Sequence, residues 1–230
     1  MLKIDDIHTY YGESYILQGI SLEVKEGQVI GILGRNGMGK TTLMRSIMGF
    51  TPPRRGRISY QDVELTGKRA FEISKMGISL VPQGRQIFPS LSVEENLTVV
   101  YRPCPNGWNL ERVYEFFPPL RGRSHHPGNH LSGGEQQMLA VGRSLMTNPS
   151  LLLMDEPTEG LSPLYVQTVG QIIRRLQGSG IAILLVEQNL SFTLKHTDYI
   201  HVLNQGLIVH SSTPQELGEN KDIRTRYLGV

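Results

Sequence analysis

The sequence has one cysteine, Cys104, and one tryptophan, Trp108. A single thiol excludes an intrachain disulfide and fits a reducing compartment. Long apolar runs are also missing. The longest, such as residues 181–186, are far short of the roughly 20 residues a membrane-spanning helix needs. Neither sign of charge is in excess: 23 Lys and Arg stand against 21 Asp and Glu, a net charge of +2. Nucleic-acid coating calls for a larger or more clustered basic surplus, so no nucleic-acid partner is expected. The N-terminal residues Met1-Leu2-Lys3-Ile4-Asp5-Asp6 carry acids early and no apolar core, which is not the pattern of a secretory signal. What is present is ordinary globular material, 39% hydrophobic and 19% charged over 230 residues. That length suits one large domain or two small ones and buries a substantial core. These features together suggest a soluble, cytosolic chain.

Twenty-five glycines and 13 prolines punctuate the chain into short elements. Residues 28–33, 151–154 and 181–186 are continuous apolar runs, the pattern of strands buried on both faces. Residues 78–81 read as a fourth such strand, and residues 21–24 alternate before a turn at Gly27. Buried strands alternating with helical patterns predict an α/β fold with a mostly parallel sheet. Between about residues 90 and 135 the helical pattern weakens around Arg102-Pro103-Cys104-Pro105 and His125-His126-Pro127-Gly128, which reads as an inserted helical subdomain. Residues 199–203 and 207–210 flank Asn204-Gln205-Gly206, a hairpin signal.

The run ending at Leu33 is followed by Gly34-Arg35-Asn36-Gly37-Met38-Gly39-Lys40-Thr41-Thr42. This is G-x-x-x-x-G-K-[ST] after a strand and before a helical pattern over residues 41–48. Such a loop turns backbone N–H groups inward toward phosphate, and the following helix aims its positive end at the same anion. Lys40 supplies charge for the β- and γ-phosphates, and the Thr41 hydroxyl suits Mg²⁺.

Residues 151–154 lead into Asp155-Glu156-Pro157. Adjacent carboxylates at the end of a buried strand are costly without a cation. Asp155 is placed to face a metal ion at Thr41, and Glu156 to polarise a water attacking the γ-phosphate. In Leu131-Ser132-Gly133-Gly134-Glu135, Ser132 and Glu135 form an S-x-x-E capping box. The two glycines bare backbone N–H groups at the same helix end, a second anion site.

These motifs, in this order, resemble the ATP-binding cassette (ABC) ATPases over essentially the whole chain. The resemblance implies a P-loop NTPase fold with a mostly parallel core sheet, an antiparallel β subdomain and an inserted helical subdomain. One nucleotide-binding domain would span residues 1–230, with its core at about 1–82 and 147–230 and the helical subdomain at about 83–146. ATP and Mg²⁺ are the implied ligands. Arg35, Asn36, Gly37, Gly39, Lys40, Thr41 and Thr42 would hold the nucleotide. Tyr11, before Gly12, matches the aromatic that stacks on adenine, with its neighbour Tyr10 as the alternative. Gln83, in Val81-Pro82-Gln83, would join Thr41 and Asp155 in the metal shell, and Glu156 would act as general base. Ser132, Gly133 and Gly134 would cover the γ-phosphate of ATP held by a second subunit. Gly160-Leu161-Ser162 matches the loop that crosses between subunits, although Ser162 stands where Asp is usual. Ser162-Pro163 also reads as a helix N-cap with proline at the first helical position.

Gln188 takes the place after residues 181–186 where the family usually has a γ-phosphate-contacting histidine. Glutamine donates a hydrogen bond but carries no proton charge. Together with YYGE, PQGRQIFPSLSVEENL, LVEQN and YLGV, it narrows the resemblance to the LivF-type ATPases of branched-chain amino acid importers, near the urea-importer ATPases. That resemblance implies a second ATPase subunit, in a homo- or heterodimer, and two membrane-spanning permeases. It also implies a periplasmic or extracellular substrate-binding protein and a peripheral position on the cytoplasmic face of the membrane. Three histidines, His125, His126 and His130, lack metal-ligand spacing and read as a solvated loop. Cys104 and Trp108 read as subdomain packing.

Overall fold

The computed structural model describes residues 1–229. Strands β1 (Leu2–Tyr11), β2 (Ser14–Val24), β4 (Arg55–Tyr60) and β5 (Val63–Glu64) form an antiparallel sheet in the order β2-β1-β4-β5. The start of β1 and the end of β2 alternate buried and exposed positions, as a sheet with one wet face favours, and the alternation breaks elsewhere. The second sheet contains β3 (Val29–Leu33), β6 (Ile78–Val81), β7 (Leu151–Asp155), β8 (Ala182–Glu187), β9 (Tyr199–Asn204) and β10 (Leu207–Ser212). Its order is β10-β9-β3-β8-β7-β6, parallel except for the β9–β10 hairpin. Every residue of β3, β7 and β8 is buried, which explains their unbroken apolar runs.

Among the described residues, nine α-helices of four residues or more connect and cover these sheets. They are α1 (Lys40–Ile47), α2 (Ala70–Lys75), α3 (Val93–Thr98), α4 (Leu110–Phe116), α5 (Pro118–Arg121), α6 (Gly133–Leu145), α7 (Pro163–Gly178), α8 (Leu190–His196) and α9 (Pro214–Glu219). No strand lies between β6 and β7 among the described residues; that stretch holds α3 to α6. Its short helices pack Val93, Leu97, Val113, Phe117 and Leu120 against α6 and the far face of the sheet. The other face of the sheet packs on α1 and the antiparallel sheet through Leu43, Met44, Ile47, Leu2 and Ile20.

Two packing expectations change. Cys104 is exposed and is not part of the subdomain core, whereas Trp108 does pack against that core. Ser162 stands at the N-cap of α7 with Pro163 behind it, but its side chain accepts no capping bond.

The core also buries two histidines. The His196 ring lies against Phe192 and fills the space that a side chain at Gly170 would occupy. Burial, reinforced by the charges of Arg174 and Lys195, pushes its pKa down to about 4. Burial does the same to His201, whose Nδ1 meets Ser211 Oγ at 2.7 Å. A folded pKa below the unfolded 6.5 means that the unfolded chain binds more protons between the two values. The contribution of these histidines to stability is therefore expected to fall as the pH is lowered from about 6.5 to about 4, by at most about 3 kcal/mol per histidine. Urea titrations at pH 7, 5.5 and 4.5 read this as the difference between the parent and a chain without the two imidazoles. A His196→Asn, His201→Asn chain should lose less stability than the parent between pH 7 and 4.5, and an identical pH profile would assign the effect to other groups.

Candidate nucleotide site

The loop between β3 and α1 curls because Gly37 and Gly39 adopt φ of 79° and 103°, a region that favours glycine. Gly39 is the N-cap of α1, so the first turn of that helix opens onto the loop. Lys40 is folded back inside it, donating from Nζ to the Arg35 carbonyl at 3.0 Å. A cavity of about 400 Å³ is lined by Asn36, Gly37, Gly39, Lys40, Thr41, Thr42, Gln83, Glu156 and Ile16. Six of the predicted nucleotide and metal residues, between Asn36 and Thr42, thus meet Gln83 and Glu156 in one hollow. Arg35 and Gln188 line an adjoining cavity of about 570 Å³.

Lys40 Nζ and Glu156 Oε1 are 2.9 Å apart, with side chains only 3% and 5% exposed. In such a dry setting, removing either partner leaves the other as an uncompensated charge. Gln188 Nε2 donates to the other Glu156 oxygen at 2.7 Å, and Gln83 Nε2 approaches it at 3.5 Å. Gln83 makes a closer bond to Glu159, at 2.9 Å. The backbone of Glu156 is left-handed, φ 48°, a conformation that costs a non-glycine residue on the order of 1 kcal/mol or more. Its N–H is fixed by the Val186 carbonyl at 2.9 Å.

Asp155 behaves differently. It is 3% exposed, and its Oδ1 has no hydrogen-bond partner. Burial raises its pKa to about 6; a Thr41 hydrogen bond and Lys40 oppose the rise, while Glu156 and Glu159 add to it. A buried carboxylate oxygen with no donor is expensive, and a hard cation would relieve it.

Tyr11 is 44% exposed. Burial tends to raise its pKa, but Thr51, Thr42 and Arg45 outweigh that and lower it overall. These neighbours place its hydroxyl beside the first turn of α1. Tyr10 faces elsewhere, stacked on Tyr15 with ring centres 4.5 Å apart and the Arg54 guanidinium over it. Of the two tyrosines, Tyr11 is the one beside Thr42.

Ser132, Gly133 and Gly134 line neither cavity. The capping box forms in full: Ser132 Oγ accepts from Glu135 N at 3.3 Å, and Glu135 Oε2 accepts from Ser132 N at 2.8 Å. Ser132 Oγ also meets Tyr165 Oη at 3.3 Å. A side chain on Gly134 would overlap the Tyr165 ring, and a Cβ on Gly133 would lie 3.0 Å from Arg85 Nη1. Both glycines therefore answer to close packing within the chain as well as to any ligand.

Sequence reasoning missed Glu187. It is 2% exposed and closes β8. Its Oε1 accepts from Thr158 Oγ1 at 2.7 Å and Thr158 N at 3.1 Å, and its Oε2 from Gln188 N at 3.1 Å. Burial pushes its carboxyl pKa up against those bonds. One side chain thus ties the loop after Glu156 to the loop carrying Gln188. The available signal was an acid ending a fully apolar run. Glu187→Ala would orphan these buried donors and is expected to destabilise the chain by about 3 kcal/mol. Thermal and urea unfolding would check this, and an unchanged midpoint would show the donors are satisfied otherwise.

Residues 17–159 match the family described as "ABC transporter". The chain belongs to the ABC transporter family. It is an ABC-type ATPase, and subunits of this kind dimerise and work with membrane permeases. It is 40% identical over 232 residues to the high-affinity branched-chain amino acid transport ATP-binding protein BraG of Pseudomonas aeruginosa, covering 100% of both chains. Relatives at lower identity include a lipopolysaccharide export system ATP-binding protein, LptB, of Acidithiobacillus ferridurans (30%; 100% of this chain, 97% of LptB). They also include a probable branched-chain amino acid transport ATP-binding protein, LivF, of Archaeoglobus fulgidus (31%; 100% of this chain, 99% of LivF). Among solved structures, a nucleotide-free ATP-binding cassette from an ABC transporter superposes with a TM-score of 0.86 at 29% identity, covering 96% of this chain and 94% of that one. No helix among the described residues is long and apolar enough to cross a membrane.

Proposed function

We propose that this ABC ATPase powers an importer for branched-chain amino acids. The observation that carries the reading is the 40% identity to BraG over the full length of both chains, against 30% to the lipopolysaccharide-export relative. The Gln188 substitution and the LVEQN and YLGV segments support it.

In this reading, Asn36 to Thr42 and Arg35 hold the phosphates, and Tyr11 stacks on the base. Thr41, Gln83 and Asp155 hold Mg²⁺. That donor set fits a small hard cation, which commonly uses one carboxylate and substrate phosphates, and the unpartnered Asp155 oxygen is consistent with it. The bound ion neutralises charge on the phosphates. Glu156 accepts the proton of a water that bonds to the γ-phosphorus as the bond to the β-phosphate oxygen breaks. Gln188 and Lys40 orient its carboxylate before ATP arrives. Ser132, Gly133 and Gly134 face the nucleotide of a second ATPase subunit. Two permeases and a periplasmic or extracellular binding protein complete the transporter, so the chain works at the cytoplasmic face of the membrane. The nucleotide-binding domain divides into a core at about 1–82 and 147–230 and a helical subdomain at about 83–146.

The test is uptake. Deleting the gene in its own host should abolish high-affinity uptake of labelled leucine, isoleucine and valine and leave urea uptake intact. Loss of urea uptake with amino-acid uptake retained would overturn the substrate assignment.

A further inference from the structure

The loop that carries Gln83 has an unusual backbone. Gly84, Arg85 and Gln86 follow one another at φ of 73°, 66° and 41°. Two successive non-glycine residues in the left-handed region persist only where their surroundings hold them. Part of the hold is Arg143 of α6, which donates from Nη2 to the Gln86 carbonyl at 2.6 Å and stacks on Phe88. The Gln86 N–H also donates to the Gly84 carbonyl at 2.7 Å, and a further hold is the Arg85 side chain. Its guanidinium packs close over Gly133, 3.0 to 3.2 Å from where a Cβ would stand, and its Nη2 reaches the Gly160 carbonyl at 3.5 Å.

This is a poor place for a cation on electrostatic grounds alone. Gly133 opens α6, and the N-terminal end of a helix repels positive charge. Among the described residues no carboxylate pairs with Arg85. Its contacts join three segments that are distant in sequence: the Gln83 loop, the Ser132–Gly134 turn and the Gly160 turn. At the near end, Gln83 itself bonds Glu159 and approaches Glu156, so the base of this loop lies in the candidate γ-phosphate pocket.

We propose that Arg85 is a positioning residue. Through it, nucleotide bound at Lys40 and Gln83 sets the geometry of the Ser132-Gly133-Gly134 segment that this chain presents to its partner's nucleotide. The inference rests on the ATP-site reading given above.

Hydrogen exchange of the isolated chain, with and without Mg²⁺ and the slowly hydrolysed analogue AMP-PNP, tests it. The peptides to follow are those covering residues 131–136 and 158–162. In the parent chain, the analogue should change exchange there by about fivefold or more, the lower range of ordinary coupling. Arg85→Gly suits the left-handed backbone and removes the side chain. It should bring the change below about twofold, with analogue affinity and melting temperature held near parental values. A merely structural contact would shift the melting temperature and leave the ligand response intact. Arg85→Lys keeps a cation within reach and should restore at least half of the response; it also serves as the working variant if the glycine chain folds poorly. A full response in Arg85→Gly, no recovery in Arg85→Lys, or no response in a parent chain that binds the analogue would each overturn the proposal. A parent chain that binds no analogue would overturn the ATP-site reading itself.

Discussion

A Glu156→Gln chain, assayed with its partner ATPase, is expected to hydrolyse ATP about 100- to 10,000-fold more slowly than the parent, while holding it more tightly. The slower turnover follows from the proposed role of the carboxylate as proton acceptor. The tighter binding follows from the geometry. Lys40 lies 2.9 Å from Glu156 in a pair that is almost fully buried. An incoming phosphate must compete with Glu156 for that ammonium. Glutamine keeps an acceptor oxygen but removes the competing charge. Without nucleotide, the same substitution leaves Lys40 short of a counter-charge, and breaking a buried pair from one side costs up to about 3–5 kcal/mol. The variant should therefore melt lower than the parent when free and gain more from ATP. Turnover assays together with melting curves at rising ATP read both effects. Parental hydrolysis by the variant would remove Glu156 from the role.

The second large effect concerns Asp155, and its sign is less intuitive. Its folded pKa is raised from 3.8 to about 6, chiefly by burial. Between those values the folded chain holds the proton and the unfolded chain has lost it. Stability therefore falls as the pH rises through that window, by at most about 3 kcal/mol. At pH 7 the full penalty is in force. Asp155→Asn has no such penalty, so the nucleotide-free variant is expected to be up to about 3 kcal/mol more stable than the parent at pH 7 and near parity at pH 4. The same change should abolish Mg²⁺-dependent turnover, since the only carboxylate proposed for the ion is gone. Urea midpoints at the two pH values decide the first part, and a variant less stable than the parent at pH 7 would refute it. The destabilisation is the kind that active sites carry when a charge must stand ready for a ligand.

The sequence displayed some of this plainly. Strands β3, β6, β7 and β8 were readable because a parallel strand covered on both faces needs apolar residues throughout. The phosphate loop was readable because its glycines, lysine and threonine act at fixed spacing within nine residues. The Ser132–Glu135 box was legible for the same reason. Ser162 is the N-cap of α7 with proline at the first helical position, as the sequence suggests, but an N-cap residue type does not fix where its side chain points, and no capping bond forms. Glu187, Arg85 and Tyr165 were not legible as site residues. Each acts across a sequence gap of 29 residues or more to Thr158, Gly133 or Ser132 and Gly134, and no local pattern encodes such meetings. The antiparallel sheet was the hardest part to delimit. Bulges shift the β1–β2 register at three places, and a broken alternation hides a strand from period counting.

The packing of Arg85 and Tyr165 against Gly133 and Gly134 also bears on how loss-of-function alleles should be interpreted. An alanine at Gly134 would overlap the Tyr165 ring, and one at Gly133 would press on the Arg85 guanidinium, before any second subunit arrived. Inactivity in such a mutant is thus ambiguous evidence about trans contacts with phosphate. The informative genetic change is a double one, in which trimming Arg85 or Tyr165 makes room for the new methyl group and the lost activity is scored for recovery.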